Sequence, residues 1–321
     1  MRSDCHQHLW PEPLLDALRA RRRPPRLDGW TLHLDGEAPY VVRPSDVDPV
    51  ARAERELAEG TSRVLVSFSS PLGVEHLPEA EGALLLDAWH AGAAALGEPF
   101  GVWAAAGVAE PDPLALARVL DQPGVVGLQL PATALAEPAA LDRLGGLLET
   151  LQRANLPLLV HPGPAAPPEA GARLTPAWWP AVVPYVAQLH AAWYAWHVAG
   201  RSNFPALRVA FVALAGLAPL HHERLAARGG VLGRIDPAVY YETSSYGTRA
   251  IDATVRVTGV DALVHGSDRP YAEPTDPALG EAFAHALFVA NPQRLLTGSS
   301  TPAGLRPPER VRLPALQGAP A

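Results

Sequence analysis

The chain of 321 residues contains no lysine, because all 26 residues of its Lys+Arg count are arginine. That excludes Schiff-base chemistry, a lysine general base, a Walker-type phosphate loop and a carboxylated lysine bridging two metals. Cysteine is nearly as scarce. Cys5 stands alone and cannot close an internal disulfide, and the opening MRSDCHQHLW lacks the charged-then-apolar pattern of a signal peptide, so a reducing cytoplasm is the expected location. Charged residues make up only 18% of the chain and the net charge is -7, which argues against nucleic acid as the main partner. Arg21, Arg22, Arg23 and Arg26 form one basic cluster, read as a solvated loop. No apolar run is long enough to cross a membrane, so no membrane partner is expected. What is present is a 48% hydrophobic composition, sufficient for a packed core despite 27 Gly and 35 Pro.

The spacing of apolar runs predicts the architecture. After MRSDCHQH come RVLVSF (63–68), FGVWAAAGV (100–108), GVVGLQL (124–130), LPLLVH (156–161), LRVAFVAL (207–214), AVYYETS (238–244) and DALVHGS (261–267). Between them lie Ala/Leu-rich stretches with apolar positions at helical spacing, such as EGALLLDAWHAGAAAL and PAALDRLGGLLETLQRA. Eight short, nearly continuous apolar strands alternating with helices describe a parallel sheet covered by helices, and closing it gives a (β/α)8 TIM barrel over 1–298. Two segments depart from the repeat. Within 24–50, WTLHLDGEAPYVV reads as a hairpin of two strands around Asp35-Gly36, inserted after strand 1; 162–199 is a long, aromatic-rich connection after strand 5. Both fall at the C-terminal ends of strands, where such barrels place their sites. The stretch 299–321 is rich in Pro and Arg and reads as a tail.

Chemistry concentrates at strand ends. On the first strand His6 and His8 share one face while Cys5 and Gln7 point the other way, placing two imidazoles about 7 Å apart along the backbone. Alone they are a metal pair or polar residues at a barrel mouth. His161 closes LPLLVH and Asp268 closes ALVHGSD, so in a closed barrel all four converge. Three imidazoles and a carboxylate suit one divalent ion, zinc before manganese, with a position left for water.

DCHQHLWPE, LPLLVHPGP, LVHGSDRPYA and NPQRLL together make the sequence resemble the metal-dependent amidohydrolase superfamily, in the branch that includes aminocarboxymuconate-semialdehyde decarboxylase. The resemblance runs from about residue 1 to 298 and implies one metal held by His6, His8, His161 and Asp268, with Asp268 also the catalytic acid or base. Two positions depart from that pattern. Where such proteins end the sixth strand with a histidine, RVAFVALAGLAP has Ala213; His221, His222 or His265 is a candidate substitute, each with an ordinary structural reading. Where binuclear relatives carry the carboxylated lysine there is Gln129, which supports one metal and leaves Gln129 as a substrate donor or a packing residue.

Other pocket candidates are Trp10, two residues past the histidine pair; Trp178 and Trp179, at the start of an aromatic-rich helix; and Arg269, a substrate-carboxylate binder or a salt bridge beneath its loop. His190, Trp193, Tyr194 and His197 share one helix face, read as core packing or a homodimer surface before a substrate lid. The leading expectation is a hydrolase of a small ester, lactone or amide, in which the metal activates water and Asp268 takes its proton. Non-oxidative decarboxylation of a small aromatic or unsaturated acid is the alternative. A scaffold that binds metal without turnover stays open because of Ala213.

Overall fold

The computed structural model describes residues 1–167, 175–233 and 235–298. The tail expected over 299–321 and part of the connection after strand 5 lie outside the described residues. The strands are β1 (Ser3–Gln7), β2 (Arg26–Asp28), β3 (Thr31–His33), β4 (Tyr40–Val41), β5 (Arg63–Val66), β6 (Phe100–Ala105), β7 (Val125–Pro131), β8 (Leu158–His161), β9 (Val209–Phe211), β10 (Val239–Glu242) and β11 (Leu263–Val264). Eight of these form one sheet in the order β1-β5-β6-β7-β8-β9-β10-β11, every pair parallel. Hydrogen bonds from Cys5 N to His265 O (2.8 Å), Asp268 N to His6 O (2.9 Å) and His8 N to Arg269 O (2.6 Å) join its two edges. The barrel is closed. Each of the eight apolar runs holds one barrel strand, and strands such as β8 are buried at every residue, as a sheet covered on both faces requires.

Helices cover the outside. The helix Pro49–Ala58 starts on Asp48, whose carboxylate accepts from Val50 N at 2.9 Å and Ala51 N at 3.2 Å, and Pro113–Leu120 starts in the same way on Asp112. Leu116 and Leu120 of the second of these helices join the larger of two core clusters, built on β6 to β11, while the first of them buries Arg52 and Glu56; the smaller cluster gathers Leu14, Leu18, Phe68 and Trp89 around the first helix of the chain.

The insertion after β1 is a three-stranded antiparallel sheet, β2-β3-β4, rather than the expected two strands. Arg26–Asp28 supplies the additional strand, and Asp35-Gly36 lies in the longer β3–β4 link. Leu27, Leu32 and Val42 are buried in the smaller core, which docks the insertion on the barrel. At Gly36 a β-carbon would meet the Ala165 carbonyl oxygen at 2.0 Å, so only glycine fits where the insertion meets the connection after β8. Next to it the Tyr185 hydroxyl donates to Glu37. The two departures from the repeat thus touch each other over the C-terminal end of the barrel. In the helix Pro184–Ala195 and its continuation, Trp193 and Trp196 are buried within the chain; Trp193 Nε1 donates to the Tyr241 hydroxyl at 3.1 Å and Trp196 stacks on Phe204.

Candidate metal centre

His6 and His8 leave β1 on the same face, as strand alternation demands, and His161 arrives from the end of β8. Asp268 follows β11 in a left-handed conformation (φ 60°), which turns its carboxylate back toward β1. One ligand atom from each of these four side chains lies within 4.8 Å of the others.

Hydrogen bonds fix which nitrogen of each ring carries the proton. His6 Nδ1 lies 3.2 Å from Glu242 Oε2, His8 Nδ1 is 3.1 Å from the Ser67 carbonyl, and His161 Nδ1 is 2.8 Å from the Pro162 carbonyl. A carbonyl can only accept, and the Glu242 oxygen already accepts from Ala213 N and the Ser244 hydroxyl, so each Nδ1 is the donor. Each neutral ring then presents a bare Nε2 lone pair to the centre. His6 Nε2 and His8 Nε2 are 3.2 Å apart, and Asp268 Oδ1 is 3.2 Å from His8 Nε2 and 3.8 Å from His6 Nε2. Lone pairs and a carboxylate packed this closely repel one another unless a cation sits among them. The donor set therefore fits a single divalent ion in the three-imidazole, one-carboxylate pattern. Burial lowers the proton affinity of His8, and burial followed by the neighbouring His6 and His8 lowers that of His161 further. Both effects favour the metal-binding form. His6 is also penalised by burial, but its Glu242 bond and nearby carboxylates outweigh that and raise it.

Glu242 and Ser69 are supporting residues that the sequence reading did not single out. Glu242, fully buried at the end of β10, accepts from His6, from Ala213 N at 3.1 Å, and from the backbone and hydroxyl of Ser244. A β-carbon at Gly266 would meet Glu242 Oε1 at 2.1 Å, so glycine there makes room for it. Its signal was present, since a polar residue ending a buried strand also marks His161 and Asp268. Ser69 Oγ lies 3.0 Å from His8 Nδ1 and accepts from Trp10 Nε1 at 2.9 Å.

A cavity of about 270 Å³ opens beside the centre, lined in part by His8, Trp10, Tyr40, Arg43, Asp46 and Tyr271. Trp10 is thus where the sequence placed it. Arg43 makes no side-chain hydrogen bond or ion pair with the described residues. No sequence pattern pointed to Tyr40 or Arg43, because only the docking of the insertion brings them to His8. Three other pocket expectations are corrected. Arg269 is buried and bonded to Glu56 (2.7 Å), Glu59 (2.7 Å) and Glu273 (3.2 Å), so its guanidinium is committed to the salt bridge beneath the loop. Gln129 is fully buried and donates to the Phe68 carbonyl at 2.5 Å and to Ser70 Oγ at 2.7 Å. Trp178 and Trp179 are 56% and 40% exposed, pack on each other, and are not among the residues that line the cavity.

None of the three candidate substitutes for the sixth-strand histidine belongs to the four-residue cluster. His221 packs on His190, His222 Nδ1 faces the Pro219 carbonyl, and His265 Nε2 lies 3.7 Å from Asp4. Ala213 contributes a backbone N–H instead.

No family model matches the sequence, and no curated protein matches it significantly. Solved structures do. The IDCase of Metarhizium anisopliae in its apo form is 18% identical over 92% of this chain and 97% of its own, with a TM-score of 0.76. The 5-carboxyvanillate decarboxylase of Sphingomonas paucimobilis is 18% identical over 92% and 98%, TM-score 0.71. The 5-carboxyvanillate decarboxylase of Novosphingobium aromaticivorans, complexed with manganese and 4-hydroxy-3-methoxy-5-nitrobenzoic acid, is 16% identical over 92% and 96%, TM-score 0.66. At these identities the likeness is one of fold. The chain has the barrel that these enzymes share.

Proposed function

We propose that the chain is a metal-dependent decarboxylase of a small aromatic or unsaturated acid. The observation that carries this reading is the guanidinium of Arg43, unpaired among the described residues, in the wall of the cavity that His8 also lines, a charge placed for a substrate carboxylate beside the candidate metal centre. The decarboxylase neighbours support it. Hydrolysis, the first expectation from sequence, uses the same four ligands but gives Arg43 no task. A divalent ion held by His6, His8, His161 and Asp268 would supply positive charge to anchor substrate oxygens. The manganese of the Novosphingobium neighbour makes Mn²⁺ the first ion to try, ahead of Zn²⁺.

The chain's own residues do the rest. Arg43 binds the anion, while Trp10, Tyr40 and Tyr271 form an aromatic wall against a flat ring. Asp268, its side chain 23% exposed, is the group that can pass a proton to the carbon bearing the carboxylate. That carbon then loses CO₂ as the C–C bond breaks and its electron pair restores the unsaturated system, so the net change is one proton taken up and one CO₂ released. In this reading the substrate is a cytoplasmic small molecule, in keeping with the lone buried thiol of Cys5.

The test is to reconstitute purified protein with Mn²⁺ or Zn²⁺ and screen hydroxybenzoates and unsaturated diacids for CO₂ release, alongside esters, lactones and amides. Release of CO₂ that is lost in Asp268→Asn supports the proposal. Turnover confined to the esters, lactones or amides refutes it in favour of hydrolysis, and metal binding without any turnover leaves the scaffold reading.

A further inference from the structure

The loop after β5 carries a polar network that the proposed reaction does not use. Glu75, Ser70 and Gln129 are all fully buried. The Ser70 hydroxyl donates to Glu75 Oε1 and accepts from Gln129 Nε2, and the same amide donates to the Phe68 carbonyl. Phe68 is flanked by the two residues that aim the metal ligand His8: Ser67 through its carbonyl and Ser69 through its hydroxyl, which also holds Trp10. Three buried side chains therefore clamp the stretch that orients one ligand and one cavity wall.

The chemistry of the clamp is unusual at Glu75. Among the described residues its Oε2 has no hydrogen-bond partner, nor has Gln129 Oε1. Among the described residues no arginine, histidine or second carboxylate is paired with it; Ser70 and its own backbone are what reach it, while the adjacent His76 turns Nε2 to Thr133 Oγ1 at 2.9 Å. A buried carboxylate without a cation is far costlier than the neutral acid.

We propose that Glu75 is a positioning residue held as the neutral acid, whose neutrality keeps an uncompensated buried charge out of the arrangement of Ser70, Gln129 and Ser67 to Ser69 that orients His8. This rests on the metal-centre reading but not on the reaction assigned to it. Burial pushes the Glu75 carboxyl up to about 7, against the opposing pull of the Ser70 hydroxyl. The folded chain then holds this proton more tightly than the unfolded one, whose carboxyl has the ordinary value of 4.5. The stabilisation is complete below that ordinary value and is lost as pH rises toward 7, by at most about 300-fold in the folding constant. Above pH 7 the clamp carries an uncompensated charge.

The experiment uses the full chain. Metal-free stability from pH 4.5 to 8.5, and Mn²⁺ affinity by competition with a chelating dye from pH 6 to 8.5, are measured for the wild type, Glu75→Gln and Ser70→Ala. The ligand histidines titrate alike in all three, so differences between profiles isolate Glu75. Relative to Glu75→Gln, the wild type is expected to lose stability as pH rises from about 4.5 to 7 and to lose Mn²⁺ affinity above it. Ser70→Ala removes the one side-chain donor to the carboxylate, so the midpoint of its loss moves to higher pH. Parallel wild-type and Glu75→Gln profiles overturn the proposal. So does a Ser70→Ala midpoint that stays in place, which decides the matter if Glu75→Gln does not fold. Neither readout measures turnover, so the absence of decarboxylation would leave this inference intact.

Discussion

Replacing Glu242 by Gln tests whether the centre depends on its supporting carboxylate as much as on its ligands. Glu242 has no solvent exposure and four donors point at it: His6 Nδ1 at 3.2 Å, Ala213 N at 3.1 Å, Ser244 Oγ at 2.7 Å and Ser244 N. Glutamine keeps the shape but turns one acceptor into a donor. With its NH₂ at the Oε1 position it opposes Ser244 N–H; at the Oε2 position it opposes His6 Nδ1–H and Ala213 N–H. The first orientation is the less costly and leaves one buried N–H unsatisfied, about 1–3 kcal/mol, while the His6 bond loses its charge assistance. We expect metal affinity to fall by about 10–100-fold, as for other supporting carboxylates, and the metal-free protein to lose about 2 kcal/mol. Titration of the metal-free protein with Mn²⁺ against a chelating dye reads the first quantity and urea unfolding the second. An affinity within twofold of wild type, with His6→Ala abolishing binding in the same assay, would refute the assignment of Glu242 as the group that orients His6.

Four further outcomes are expected. Elemental analysis should find one divalent ion per chain, absent from His161→Ala and Asp268→Ala, whose folds should persist because the ligand atoms only meet at the barrel mouth. Arg43→Gln should raise KM for a carboxylate substrate by roughly 10–100-fold, the worth of a charge-assisted contact, while metal affinity is unchanged; equal KM values would remove Arg43 from the substrate site. Glu56→Ala removes the buried partner that Arg269 meets at 2.7 Å and leaves it only the more exposed Glu59 and Glu273, so it should cost about 1–3 kcal/mol in urea unfolding, with an unchanged unfolding midpoint as the contrary result. Ala213→Gly removes a β-carbon from a residue at φ 47° and should stabilise the fold by about 0.5–1 kcal/mol after allowing for glycine's freedom in the unfolded chain, with a lower melting temperature as the contrary result.

The barrel and the convergence of His6, His8, His161 and Asp268 were legible in the sequence because both follow from short-range rules. Continuous apolar runs as short as LPLLVH, alternating with helical stretches, read as strands buried on both faces, alternation puts His6 and His8 on one side of β1, and a polar residue ending such a run faces the barrel mouth. The same rule applied to AVYYETS would have found Glu242. What was not legible depends on docking. Arg269 sits beside Asp268 in sequence, yet it is drawn under the loop by Glu56 and Glu59, residues more than two hundred positions away. Arg43 carries no motif and reaches the cavity only because Leu27, Leu32 and Val42 bury the insertion against the first helix. The extra strand Arg26–Asp28 follows from the same packing, since Leu27 is its only buried side chain.

Ala213 shows how a position that reads as a loss in sequence can still contribute to the centre. From Ala213 to Leu217 five consecutive residues are left-handed, four of them not glycine. Each non-glycine residue in that conformation costs about 1–2 kcal/mol, so the turn persists only because its surroundings hold it. Gly216 supplies part of the reason, since a β-carbon there would meet the Val186 carbonyl at 2.5 Å. Ala213 supplies the rest by directing its N–H to the Glu242 oxygen that also receives His6. A side chain at this position is dispensable for that bond, whereas the backbone conformation is not. The sixth strand thus supports the four-residue cluster through its main chain, and in the proposed reaction the proton transfer would fall to Asp268, whose side chain is 23% exposed.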